Sequence, residues 1–308
     1  MADVSNDRAN TALNRGNLLT AQSNWLRAIS YYQTSAFDLD SADKRQHSVL
    51  RTMRACARRY IEHLTPAGEV VEIPWLDGYA LEGYFLPVPS ASNRAPVVVC
   101  MGEPGHRKEE YLYKTARYAR DRGISLLAVD LFGSGTGVQF EKIVGRPDLE
   151  TAAGHVMDYL TTRGDVDARK IAILGDGSGS SFVARSVALD QRFAAAVCDG
   201  GIWDMNERAF LMNRFSSRSP AMAATSGHSR LAQNLACPVL VTFGGRGWLE
   251  ADRVTDLFDR LKVNHRDITL KLFHDSETAA AQGHSDNPTL ANEFIFDWLA
   301  DRLGSISP

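Results

Sequence analysis

Residues 174–181, "LGDGSGSS", have the form of a site for a nucleophile. They follow the apolar run "KIAI", and a strand that turns through glycines into a helix is where many hydrolases hold a nucleophilic serine, as G-x-S-x-G. In the frame from Gly175 to Gly179 the central position is Gly177, so the usual serine is missing there. Ser178 comes next, either as a displaced nucleophile or as an ordinary residue in the first turn of the helix.

A histidine and an aspartate offer proton-transfer chemistry instead. His284, in "QGHSDN", has a side chain whose ordinary pKa near 6.5 suits acid–base work at neutral pH. Asp199 ends the apolar run "AAAVC" and is a candidate to orient His284 and stabilise its cation, as the acid of a catalytic triad does. The alternatives are a structural histidine and an aspartate that caps a turn.

The stretch "GEPGH", residues 102–106, offers backbone donors for an oxyanion hole. Gly102 or Glu103 would supply one N–H group and Ser178 the other, while Pro104 has none. The side chains of Glu103 and His106 either reach substrate or lie at the surface. We therefore group Gly102, Glu103, His106, Gly177 and Ser178 as candidate oxyanion and substrate-binding residues.

Composition excludes several other classes of protein. The 308 residues are 44% apolar with a net charge of −3, without the clustered basic excess of a nucleic-acid-binding protein. No run approaches the ~18 apolar residues of a membrane span, and the first residues lack a signal-peptide core. No metal-ligand motif occurs, so we expect neither metal nor cofactor. Four widely spaced cysteines favour the cytoplasm.

The elements that position these residues alternate along the chain. Residues 4–64 repeat apolar side chains at helical spacing, and two alternating runs at 69–75 and 79–87 predict a hairpin. Six apolar runs then alternate with helical stretches near 109–122, 147–164, 178–190, 250–262 and 289–303. This pattern predicts an α/β fold, with a mostly parallel twisted sheet, helices on both faces and ligands at the carboxyl ends of the strands.

The distribution of apolar and polar residues also predicts how the chain is organised. Residues 1–66 form an N-terminal helical cap segment, and residues 67–308 form the α/β core. A polar insertion at about 202–234 interrupts the strand–helix rhythm, as a lid or a surface excursion would.

The order and spacing of these pieces resemble the α/β-hydrolase fold. Within it, "WLRAISYYQTSAF", "GEPGHRKEEY", "LLAVDLFGSGTG" and "CPVLVTFGGRG" resemble the group that includes 2,6-dihydroxypseudooxynicotine hydrolase and the fungal hydrolases that shorten polyketide pigment precursors. The resemblance implies a serine, an acid and a histidine, which fall here on Gly177, Gly247 and His284. It therefore implies a degenerate triad. It also implies a homodimer.

Without a serine at position 177, no acyl-enzyme forms at the turn between the strand and the helix. We expect an atypical enzyme that acts on a small keto or polyketide-like metabolite through non-covalent acid–base chemistry at His284, with an oxyanion hole. A lyase, isomerase, cyclase or C–C-cleaving reaction fits this expectation. The alternatives are a hydrolase that uses water activated by His284 or uses Ser178, and a catalytically dead binding or scaffold protein.

Overall fold

The computed structural model describes most of the chain. The described residues are 1–39, 43–90, 94–102, 106–131, 143, 146, 148–177, 179–201, 235–246, 251–265 and 267–305. Glu103, Ser178, Gly247 and the lid-like insertion at 202–234 lie outside these ranges.

An eight-stranded sheet forms the centre of the molecule, which confirms the predicted α/β class. The strands are β1 (Glu69–Leu76), β2 (Tyr79–Leu86), β3 (Ala95–Met101), β4 (Ser125–Asp130), β5 (Val166–Asp176), β6 (Ala195–Asp199), β7 (Val239–Gly244) and β8 (Ile268–Phe273). They lie in the order β1-β2-β4-β3-β5-β6-β7-β8. The hairpin β1–β2 and the pair β2–β4 are antiparallel, and the other pairs are parallel.

Helices flank the sheet where the apolar periodicity predicts them. They are α1 (Ala2–Asn14), α2 (Leu18–Phe37), α3 (Lys44–Glu62), α4 (Lys108–Lys114), α5 (Ala116–Arg120), α6 (Thr151–Thr162), α7 (Gly179–Leu189), α8 (Ala251–Asn264) and α9 (Pro288–Leu303). The helix predicted near 109–122 is instead two short helices, α4 and α5, that meet at Thr115. None of the described helices is long and apolar enough to cross a bilayer.

Strand alternation divides the core into two layers. All seven residues of β3 are buried, as expected for a central strand. Its alternate residues Val97 and Val99 pack in a cluster with α6, α7 and α8, whereas Val98 and Cys100 pack in a second cluster with α1–α5 and α9. The second cluster lies on the face of the sheet that carries the candidate site.

The N-terminal helices are packed into this second cluster. Trp25 of α2 and Met53 of α3 are fully buried in it, together with Leu126 of the sheet. The predicted helical character of this segment is confirmed, and the division of the chain at residue 66 stays a prediction. Burial of this kind ties the segment to the sheet through the hydrophobic effect.

Candidate active site

Three polar side chains stand together at the carboxyl edge of the sheet because of strand register. Asp176 at the end of β5 pairs with Asp199 at the end of β6, and Asp199 pairs with Thr242 of β7. Residues two positions earlier in each strand, Leu174 and Val197, belong to the second cluster. Since side chains alternate with a period of two, Asp176, Asp199 and Thr242 point to that same face.

His284 lies against Asp199, as the sequence predicts. Its Nε2 is 2.8 Å from Oδ1 of Asp199, and its Nδ1 is 2.5 Å from the carbonyl oxygen of Ala279. A carbonyl oxygen only accepts, so Nδ1 carries a proton. Thr242 donates its hydroxyl to the same Oδ1 at 2.7 Å, and the Phe273 ring packs against the imidazole in an edge-to-face arrangement.

This arrangement differs from the predicted one in the nitrogen that Asp199 holds. The acid of a serine triad bonds Nδ1 and leaves Nε2 to face the nucleophile. Here the Ala279 carbonyl fixes the tautomer at Nδ1, and Asp199 occupies Nε2. The difference follows from position, because Asp199 ends β6 beside the glycine turn, whereas the usual acid follows β7.

The contact with Asp199 keeps the His284 imidazole protonated at neutral pH. Burial disfavours the imidazolium, but the Asp199 carboxylate and the two hydrogen bonds outweigh it and raise the pKa of His284 to about 9. The side chain of His284 is 4% exposed and that of Asp199 is 18% exposed. The carboxylate is therefore the more exposed member of the pair, although both side chains line the cleft.

Gly177 forms the turn between β5 and α7. Its φ of 53° lies in the left-handed region that glycine adopts without strain, and its N–H donates to the carbonyl oxygen of Asp199 at 2.6 Å. The next serines along α7, Ser180 and Ser181, are fully buried. The Ser180 hydroxyl donates to the carbonyl oxygens of Gly175 and Gly177. Neither Ser180 nor Ser181 is placed as a nucleophile.

A second histidine–aspartate pair stands on the other side of this turn. Nδ1 of His106 is 3.0 Å from Oδ2 of Asp176, and the hydroxyl of Tyr111 donates to Oδ1 at 2.8 Å. Burial opposes charge on His106, but Asp176 raises its pKa to about 9. Burial also opposes charge on Asp176, yet His106, Lys114 and Tyr111 hold the pKa of its carboxyl below the ordinary value.

Gly102 makes room for this second pair. A β-carbon at Gly102 would lie 2.6 Å from Cβ of His106, 2.9 Å from the Tyr111 hydroxyl oxygen and 3.1 Å from Oδ1 of Asp176. The tight approach of β3 to these side chains therefore requires glycine. The oxyanion donors predicted at Glu103 and Ser178 lie outside the described residues, and that part of the site stays a prediction.

Both pairs line one cavity of about 750 Å³. Its floor is formed by the ends of β5 and β6 with Gly177, one wall by α4 and α5, and the other by residues 282–285 and the first turns of α9. This volume is typical of a site for a small organic molecule. Within the described ranges, no group of three metal-ligating side chains occurs.

The sequence did not identify three further residues of the site: Asp176 and Tyr111, which line the cavity, and Thr242, which is fully buried and hydrogen-bonds Asp199. In the sequence, Asp176 was considered only for its position next to the glycine turn, and neither Tyr111 nor Thr242 was selected. One signal was available for both strand residues: each stands two positions beyond a buried residue of its strand, on the face that holds His284.

Comparisons with known proteins place the chain among hydrolase-like sequences. A family described as "Esterase FrsA-like" matches residues 5–236. The alpha/beta hydrolase gkaG of Penicillium citrinum is 28% identical over 217 residues, which cover 65% of this chain and 49% of that protein. The hydrolyase poxO of Penicillium oxalicum is 26% identical over 215 residues, which cover 66% of this chain and 51% of the relative. The chain thus spans about half the length of these relatives.

Solved structures agree on the fold. The crystal structure of 2,6-dihydroxy-pseudo-oxynicotine hydrolase superposes with a TM-score of 0.77 at 20% identity, covering 100% of this chain and 88% of that one. A structure of AbyA5 superposes with a TM-score of 0.71 at 16% identity, covering 99% of this chain and 89% of that one. At such identities the likeness establishes the α/β-hydrolase fold and no more.

Proposed function

The chain belongs to the FrsA-like esterase family, and we propose that it is an enzyme that moves protons next to the carbonyl of a small keto or polyketide-like metabolite. No covalent intermediate forms at the turn between β5 and α7, because Gly177 stands where the family pattern has serine. The reaction class is that of a lyase, an isomerase, a cyclase or a C–C-cleaving enzyme. Elimination, isomerisation and cyclisation can each begin with an enolate formed by loss of an α-proton, whereas in C–C cleavage the enolate is the fragment released as the bond breaks.

The Asp199–His284 contact carries this proposal. Oδ1 of Asp199 is held by His284 and Thr242, and among the described residues nothing bonds Oδ2. Asp199 is also the more exposed partner and lines the cavity. Oδ2 is therefore the base, while the His284 imidazolium holds the carboxylate in place and supplies positive charge beneath the developing enolate.

The proton-transfer step balances without a cofactor. Oδ2 of Asp199 takes a proton from the carbon next to the carbonyl, the C–H bond breaks, and its electron pair moves to the carbonyl oxygen. Backbone N–H groups proposed at Gly102 or Glu103 and at Ser178 stabilise that oxygen. Return of the proton to another carbon gives isomerisation, and departure of a group from the neighbouring carbon gives elimination.

His106 and Asp176 take a supporting part in the same proposal. They line the cavity on the far side of Gly177, and His106 carries a positive charge at neutral pH. We assign them to substrate binding and to stabilising negative charge on the substrate oxygen.

A second candidate is a hydrolase, in which this pair activates water or Ser178 acts as the nucleophile. The names of the relatives, which include hydrolases, favour it. The homodimer implied by the family resemblance remains part of the proposal in either case.

Exchange of carbon-bound hydrogen for deuterium tests the proposed step directly. Wild-type protein is incubated in D₂O with 1-phenylbutane-1,3-dione and related diketones, and loss of the α-proton signal is followed by NMR. We expect Asp199→Asn to slow catalysed exchange by about 10²–10⁴-fold, the usual contribution of one positioned base. His284→Gln should slow it in the same direction.

The control is Asp158→Asn, which removes a solvent-exposed carboxylate of α6 that pairs only with Arg192 among the described residues. Its exchange rate should equal that of wild type. Exchange no faster than the buffer background for every diketone would reject enolisation. Hydrolysis of esters by the same samples would then establish the hydrolase, and binding without either reaction would establish the binding protein.

A further inference from the structure

The charged side chains that line the cavity are paired, with one exception. His106 pairs with Asp176 and His284 with Asp199, as described above. Lys114 of α4 pairs with Glu110 one turn earlier. Arg117 of α5 also lines the cavity, and among the described residues no carboxylate pairs with it.

The Arg117 side chain is exposed, and one aromatic ring lies against its guanidinium. The Arg117 guanidinium carbon lies 4.8 Å from the centre of the Tyr118 ring, within the range of a cation–π contact. Tyr118 is buried and its ring stacks on Phe296 of α9. The aromatic surface orients the guanidinium, and an oriented guanidinium loses less conformational freedom when it binds a planar anion.

The facing wall adds positive potential. α9 begins at Pro288, and its first turns line the cavity through Pro288, Thr289 and Asn292. The N-terminal end of a helix favours an anion nearby. Arg117 and this helix end thus act on the same volume from two sides.

We propose that the substrate is a keto acid, a carbonyl compound that carries one carboxylate bound by Arg117 while its carbonyl lies near Asp199. This inference rests on the proposed function, since it names the substrate class of the same cleft. Guanidinium and carboxylate match in shape through two parallel hydrogen bonds, which makes Arg117 selective for a carboxylate over a neutral group of equal size.

Binding of a matched pair of compounds tests it. The probe is 4-phenyl-2,4-dioxobutanoate, and its neutral counterpart is the primary amide, chosen because an ester is a substrate for esterases. Calorimetry at neutral pH and low salt should show wild type binding the acid about ten-fold more tightly than the amide. Arg117→Met should remove that preference without changing amide affinity, and Arg117→Lys should keep part of it.

Arg120→Met is the matched control. Arg120 lies on the same short helix and is exposed, as Arg117 is, but it donates to the carbonyl oxygen of Thr65 and does not line the cavity. The preference for the acid should persist in this variant. An equal preference in Arg117→Met and wild type overturns the proposal, as does a wild-type protein that binds the acid no better than the amide or binds neither at millimolar concentration.

The two proposals fail separately. Calorimetry needs no turnover, so a carboxylate preference lost in Arg117→Met stands even where no deuterium exchange occurs. Conversely, exchange that depends on Asp199 but shows no carboxylate preference retains the enzyme and removes the keto-acid assignment.

Discussion

A single imidazole shows how far this site departs from a serine triad. In the triad, Nε2 of the histidine accepts the proton of the serine hydroxyl. In this protein Nε2 of His284 is already hydrogen-bonded to Asp199, and the raised pKa of about 9 keeps the ring protonated at neutral pH. His284 therefore has no lone pair available to a nucleophile at position 177.

Restoring the serine alone should then fail. We expect Gly177→Ser to remain unlabelled by a fluorophosphonate at neutral pH, as wild type does, because the imidazolium cannot take the hydroxyl proton. Gly177→Ser combined with Asp199→Ala should be labelled slowly, since loss of the carboxylate frees Nε2 and lowers the pKa of His284. Mass spectrometry of the modified peptide reads the outcome.

Mass spectrometry identifies the labelled residue, so the experiment distinguishes an adduct at position 177 from an adduct on Ser178. Rapid labelling of Gly177→Ser alone would show that Nε2 reaches the serine, which contradicts the assigned role of Asp199. An adduct on Ser178 in wild type would make the hydrolase the better proposal. His284→Gln in the double variant serves as the control and should abolish labelling.

At the level of secondary structure, the polar side chains of the site stand at the carboxyl ends of neighbouring strands. The sheet was predictable because its strands are continuous apolar runs between helical stretches. The sequence also offered His284 as a candidate from its match to the family pattern and Asp199 from its place at the end of a strand, and their roles stay predictions. Asp176 was missed because it was considered only as a spacing position in the glycine motif, and its carboxylate was not considered. The contact of Asp199 with Nε2 depends on the turn at Gln282–His284, where His284 itself has a φ of 54°, and no local pattern indicates that conformation.

The loop between β3 and α4 depends on Gly102 for its approach to β5. We expect Gly102→Ala to destabilise the protein by about 1–3 kcal/mol, the usual range for overpacking, because its β-carbon would overlap His106 and Tyr111. The catalysed deuterium exchange should also be slower, since the His106–Asp176 pair must shift. Denaturant unfolding and the deuterium-exchange assay measure the two effects.

Gly164→Ala is the control for that change. Nothing lies within 4 Å of a β-carbon built at Gly164. Unfolding free energy and exchange rate should both stay close to wild type. Equal stability of the two variants would mean that the loop adjusts at no cost, and the close approach at Gly102 would lose its significance.

Over the whole molecule, the two ion pairs connect segments that are distant in sequence. His106 and Asp176 are 70 residues apart, and Asp199 and His284 are 85 apart. Each joins a loop to the end of a central strand. Because both pairs are largely buried, breaking one leaves a carboxylate without its counter-charge, which costs more than the loss of a surface pair.

These two ion pairs make the free energy of unfolding depend on pH over a defined range. Both histidines have a pKa of about 9 in the folded protein against an ordinary value of 6.5, so their contribution is fully present below pH 6.5. Between pH 6.5 and 9 the unfolded chain has lost these protons while the folded protein retains them, and the free energy of unfolding falls. Each pair accounts for a decrease on the order of 3 kcal/mol across that window. Urea unfolding at successive pH values should show this slope in wild type and a flatter one in His106→Gln/His284→Gln, and parallel slopes in the two proteins would show that neither histidine is held as a cation.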